Sequence, residues 1–195
     1  MTFKIRQGAN LPHWTKDNAV YAVTFRLADS MPQTQLNQWK RERDFLYKEA
    51  ELNRLTASEF KRLMYLHSDK LQQYLDAGYG ECWLKDDRIA KVVADALLHF
   101  SGERYMLHAY CIMPNHVHLV IEPLAGYDLL KIMTSFKRFT AHEANGILGR
   151  MGKFWLAESY DHLIRDSADY EHAFEYLWDN PEKAGFRDWK WRWRR

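Results

Sequence analysis

Cysteine is scarce: Cys82 and Cys111 are the two thiols in 195 residues, too few for a disulfide framework and in keeping with a reducing, cytoplasmic compartment. No apolar run reaches the roughly 18 residues of a membrane span, so no membrane partner is expected. The opening stretch Met1–Asn10 holds Lys4 and Arg6 but no apolar segment, and the expectation is that there is no secretory signal. Nine glycines and five prolines are too few for a collagen-like or linker protein. Charge of one sign is also missing: 28 basic against 26 acidic residues leave +2, so any nucleic-acid footprint must come from local clustering. No internal repeat or low-complexity tract is present. What remains is 47% apolar and 15% aromatic, the make-up of one compact globular domain, or of one domain plus an insertion. The aromatics suit a large core, with any surplus on the surface suited to stacking on unpaired bases.

Val20–Leu27 is β-branched and aromatic and reads as the first strand. Met31-Pro32 breaks it. Residues 33–76 then mix charges of both signs with Leu36, Trp39, Leu52, Leu55, Phe60, Leu63 and Met64 at helical spacing, which predicts a helical insertion of two or three amphipathic helices. Thr56 and Glu59 form a capping-box pattern that starts one of them. The insertion is either a solvated hairpin or a clamp. The Gly78-Tyr79-Gly80 turn closes it. Asp87–Phe100 reads as a helix, Tyr105–Cys111 and Val117–Ile121 as strands joined through Met113-Pro114-Asn115, and Leu129–Leu148 as a second long helix. Phe154–Ile164 is strand-like, interrupted at Glu158 and Ser159. Asp169–Asp179 is a last helix, stopped by Asn180-Pro181. The order predicts an α+β, ferredoxin-like βαββαβ sandwich with an antiparallel sheet. That fold hosts many functions, so function must be sought in the site.

His116 and His118 are two apart on a strand, so both imidazoles share one face while Val117 points to the other. Such a pair beside a hairpin turn, at a sheet rim open to a ligand, can hold a divalent metal; the spacing alone leaves open two surface histidines. In the last helix Tyr176 and Asn180 are four apart on one face. Tyr176 is offset from the core stripe of Tyr170, Phe174 and Leu177, and Asn180 can offer an amide oxygen to a hard cation. His172, one turn before Tyr176, could serve as a base or simply face solvent. Glu122 shares the His118 face but lies far along the strand.

Taken in order, YGECWLKDDRIAKVVADAL (Tyr79–Leu97), MPNHVHLVIEP (Met113–Pro123), SFKRFTA (Ser135–Ala141), FWLAESYDHLIRD (Phe154–Asp166) and YLWDNPEKAGF (Tyr176–Phe186) resemble the REP-associated tyrosine transposases, bacterial single-tyrosine HUH nucleases. The resemblance covers about 21–186 outside the insertion. It implies that His116 and His118 bind Mg²⁺ or Mn²⁺, that Tyr176 is the nucleophile, and that Asn180 stands where relatives often carry a Gln completing the metal site. It implies a metal-dependent single-strand endonuclease and strand-transferase working through a 5′-phosphotyrosine. Its substrate would be single-stranded or hairpin DNA of repetitive extragenic palindromes, in the bacterial cytoplasm at the nucleoid, with a homodimer possible. A domesticated relative that grips the hairpin without cutting is the alternative. Lys137 and Arg138 could hold phosphates, or form a solvated helix face. The basic end FRDWKWRWRR places Lys190, Arg192 and Arg194 in alternation with Trp189, Trp191 and Trp193. If extended, this tail puts cations on one face and indoles on the other and can bind DNA; otherwise the indoles tuck onto the body.

Overall fold

The computed structural model describes residues 4–7, 12–15, 19–52 and 54–195; the side chains of the first two segments and of residues 57, 60, 61 and 64–69 are not described. The expectations for Met1–Asn10, Phe60 and Met64 thus fall largely outside the described residues. Two short strands, β1 (Lys4–Gln7) and β2 (Pro12–Thr15), pair as an antiparallel hairpin that the sequence did not announce. There follow β3 (Tyr21–Arg26), α1 (Gln33–Glu51), α2 (Ala57–Asp76), α3 (Asp87–His99), β4 (Tyr105–Ile112), β5 (His116–Pro123), α4 (Leu129–Leu148), β6 (Tyr160–Leu163), α5 (Ser167–Lys183) and β7 (Arg192–Arg194).

Strands β6-β3-β5-β4-β7 form one five-stranded antiparallel sheet in that order. The first four reproduce the expected βαββαβ arrangement, and β7 extends it beside β4. Alternation sorts the two faces. Val23 and Phe25 of β3, Leu107 of β4 and Val117, Leu119 and Ile121 of β5 pack with Ile89, Val93 and Leu97 of α3 and with Ile132, Met133 and Phe136 of α4. On the other face Ala109, Cys111 and Val120 meet Leu177, Tyr170 and Phe174 of α5. The residues between the core positions of β5, His116 and His118, therefore point toward α5.

The insertion is two helices. Thr56 starts the second by the expected capping box: its Oγ1 accepts from Glu59 N at 3.2 Å and its own N–H donates to Glu59 Oε2 at 2.8 Å. Gly80 sits at φ +88°, and a Cβ there would lie 2.6 Å from the Asp29 carbonyl oxygen, so the closing turn accepts only glycine at that point.

Two expected boundaries are corrected. The strand-like segment at Phe154–Ile164 narrows to Tyr160–Leu163, with a single bridge from Leu27 to Trp155 before the interruption. The last helix does not stop at Asn180-Pro181 but runs to Lys183. Pro181 sacrifices only its own missing N–H, while Ala184 N donates to Asn180 O at 3.0 Å and Phe186 N to Pro181 O at 2.8 Å, closing the turn beyond it. Among the described residues, no helix is long and apolar enough to cross a membrane.

Candidate active site

The two histidines converge. Their Nε2 atoms lie 3.0 Å apart and their rings meet edge to face, with centroids 4.7 Å apart. Each is held from behind. Asn115 Nδ2 donates to the Tyr79 carbonyl at 2.9 Å, which fixes the amide so that its Oδ1 faces His116 Nδ1 at 2.7 Å. Asn115 Oδ1 can only accept, so His116 carries its proton on Nδ1 and turns the Nε2 lone pair inward. Thr24, directly across the sheet from His118, places Oγ1 2.7 Å from His118 Nδ1. A hydroxyl either donates or accepts, so His118 has a supporting partner in both neutral tautomers.

The expectation of an open rim is corrected. His116 is 0% and His118 4% exposed, because the end of α2 folds over them from one side and α5 from the other. Burial, with His118 and Arg26 nearby, drives the His116 imidazole well below its ordinary pKa, and burial pulls His118 down to about 3. Both imidazoles are therefore neutral at physiological pH. Cys111 lies across the sheet from His118, and burial pushes its thiol up to about 12, so it stays protonated.

From α5, Tyr176 presents its ring edge to His118, with centroids 5.6 Å apart and planes at 84°. The phenol and the imidazole pair thus meet within one chain. Lys183 Nζ lies 5.6 Å from the Tyr176 ring centroid. Asn180, one turn on from Tyr176, is 1% exposed, and its Oδ1 is buried without a hydrogen-bond partner. A cleft of about 420 Å³ opens beside them, lined by Thr24, Gln72, His118, Arg165, His172 and Tyr176 among others.

Several participants carried no sequence signal. Gln72 and Asp76 reach the site from α2. Gln72 Nε2 lies 3.1 Å from His116 Nε2 and 2.7 Å from Asp76 Oδ1, and Asp76 Oδ1 is 3.7 Å from His116 Nε2. Burial pushes the Asp76 carboxyl up to about 6, against the opposing pull of Gln72, Asn180 and Lys183. Arg26, opposite His116, is 6% exposed and donates to Ser30 Oγ at 3.2 Å. Burial lowers its guanidinium to about 10 despite Glu158. Among the described residues, no three His, Cys, Asp or Glu side chains are gathered at metal-ligand spacing.

The remaining expected residues scatter. Lys137 is a correction: its ammonium donates to the carbonyls of Leu156, Ala157 and Glu158 at 3.1, 3.1 and 3.2 Å, which uses all three N–H bonds and ties down the loop before β6. Arg138, next to it, is exposed. Of the two readings left open for the tail, the docked one describes it: β7 pairs with β4, and Trp191 and Trp193 pack on the core. Lys190 Nζ and Trp191 Nε1 bind Asp87 at 2.6 and 3.0 Å, and Arg192 Nη1 donates to the Trp178 carbonyl at 2.8 Å. Arg194 is exposed and lies over the Trp178 ring. Glu122 pairs with His108 at 3.4 Å rather than with the histidine site.

Residues 83–178 match the family model for IS200-like transposases. A protein of Haemophilus influenzae named for the REP-associated tyrosine transposases is 28% identical over 95 residues, 42% of this chain and 54% of its own. A REP-associated tyrosine transposase of Escherichia coli K12 is 22% identical over 98 residues, 49% of this chain and 56% of its own. Over these stretches the chain is similar to the REP-associated tyrosine transposases. It spans about half the length of these two transposases (54% and 56%). A solved REP-associated tyrosine transposase bound to a REP hairpin shares the fold, with a TM-score of 0.57 at 15% identity over 95% of this chain and 82% of that one. The segment matched to the transposase family holds His116, His118 and Tyr176; Gln72, Asp76, Asn180 and β7 lie outside it.

Proposed function

We propose that this protein is a divalent-cation-dependent single-strand DNA nuclease and strand-transferase that acts on hairpin-forming repeat DNA through a 5′-phosphotyrosine at Tyr176. The observation that carries the reading is the approach of the Tyr176 ring to His118, 5.6 Å between centroids, on the face where both imidazoles turn their Nε2 atoms inward.

The donors suit a metal. His116 Nε2, His118 Nε2 and the unpartnered Asn180 Oδ1 are the atoms that would hold Mg²⁺ or Mn²⁺. Bound there, such an ion supplies Lewis-acid charge to the non-bridging oxygens of a scissile phosphate. The rest is the work of side chains. A phenol with a pKa near 10 is a weak nucleophile at neutral pH and needs a base to take its proton. His172, in the same cleft one turn earlier, takes the phenolic proton. Tyr176 Oη then bonds to phosphorus, the bond from phosphorus to the 3′-oxygen breaks, and that oxygen is protonated. The phosphodiester energy is retained in the tyrosyl ester, so the 3′-OH of another strand reverses the step without a nucleotide cofactor. The exposed Arg138 and Arg194, and the tail residues Lys190, Trp191 and Arg192, are the proposed DNA contacts outside the centre.

The test is incubation of a hairpin oligonucleotide with the protein and Mn²⁺, read as a covalent protein–DNA adduct on a denaturing gel. The adduct is expected with the wild type and absent with Tyr176→Phe. His116→Ala is expected to lose the adduct while keeping most hairpin affinity, because phosphate contacts elsewhere supply it. Hairpin binding with no adduct in the wild type overturns the nuclease in favour of a non-cleaving binder.

A further inference from the structure

The inserted hairpin does more than cover the histidines. The last turn of α2 places Gln72 and Asp76 four residues apart on one face, and that face meets His116 across 44 positions of sequence. We propose that Asp76 is an oxygen ligand of the divalent-cation site, and that Gln72 competes with the cation for the same acceptors. This rests on the reading of His116 and His118 as metal ligands.

Three observations carry the proposal. First, a single amide nitrogen, Gln72 Nε2, sits 2.7 Å from Asp76 Oδ1 and 3.1 Å from His116 Nε2. An amide nitrogen has two hydrogens, one for each acceptor, so it occupies the place where a small cation would satisfy both. Second, the spacing permits a shared ion. Asp76 Oδ1 and His116 Nε2 are 3.7 Å apart and the two Nε2 atoms 3.0 Å, so each pair can lie within about 2.1 Å of one ion. Third, Asn180 contacts the Asp76 carboxylate while its own Oδ1 is buried and unpartnered. Two neutral imidazoles and an amide oxygen bring no charge to the site. A hard cation favours carboxylate oxygen, and Asp76 is the carboxylate that pairs with His116. The insertion is thus part of the centre, and the cation enters as the Gln72 side chain turns away.

The test is titration of the full-length metal-free protein with Mn²⁺, following free Mn²⁺ by its electron paramagnetic resonance signal, with circular dichroism melts to verify folding of each variant. The wild type and Asp76→Asn, Gln72→Ala and His116→Ala are compared. Asp76→Asn keeps the shape and is expected to weaken Mn²⁺ about tenfold or more, Gln72→Ala to tighten it, and His116→Ala to abolish it. Loss with His116→Ala but affinity within about twofold of wild type in Asp76→Asn overturns the ligand role and leaves the histidine site standing. Weaker binding in Gln72→Ala overturns the competition. A wild type that binds no Mn²⁺ overturns the metal reading itself, and this proposal with it.

Discussion

Replacing Asn115 by alanine should unfasten the site from the inside. Asn115 is fully buried. Its amide bridges the Tyr79 carbonyl at 2.9 Å and His116 Nδ1 at 2.7 Å, tying the turn that closes the insertion to the first histidine. Alanine deletes both bonds, each worth about 1 kcal/mol net, and strands the His116 N–H in a dry interior at a further cost of about 1–3 kcal/mol. The expected loss is about 3–5 kcal/mol, which for a chain of this length lowers Tm by about 6 °C or more. Urea unfolding of the metal-free protein, followed by tryptophan fluorescence, measures it directly. A loss below about 1 kcal/mol refutes the reasoning, because it means that water or another acceptor reaches His116 Nδ1 and that the amide does not set the tautomer.

Two further outcomes follow from the same geometry. The metal-free protein should lose stability as pH falls below about 6.5, since the folded imidazoles resist protonation and the unfolded ones do not. At pH 5 each histidine costs about 2 kcal/mol, while Asp76, whose raised pKa works in the opposite sense between its unfolded value and about 6, returns about 1 kcal/mol; Arg26 stays charged throughout. Urea midpoints that do not change between pH 7 and pH 5 contradict the buried, neutral pair. Arg194→Ala should weaken hairpin binding and reduce the salt slope by about one, with little change in Tm because the residue is exposed; an unaltered slope excludes Arg194 as a phosphate contact.

The parts of the molecule governed by local rules were readable in advance. Period-two alternation alone places His116 and His118 together with Val117 opposed, and the i, i+4 relation alone places Tyr176 over Asn180. The capping box at Thr56 and Glu59 needs only four residues to be seen. The parts that escaped depend on contacts between distant segments. Nothing periodic in α2 marks Gln72 or Asp76 as facing a histidine, since amphipathicity reports which side of a helix is wet and not what it touches. Lys137 looked like a phosphate ligand because a cation on a polar helix face has the same pattern whether it meets solvent or three carbonyls. Pro181 looked like a stop because the rule concerns lost N–H bonds, and near the end of a helix few remain to be lost.

Strand β7 has a consequence unconnected with chemistry. It occupies the outer hydrogen-bonding edge of β4 along Ala109, Tyr110 and Cys111, a run that would otherwise offer unpaired amides and apolar side chains to any passing β-chain. Three residues are too few to recruit a further strand in turn, and arginines at both ends of the segment repel a second copy. The β4 edge is thereby closed, and peeling this short ribbon away would leave that edge open to pairing with another chain.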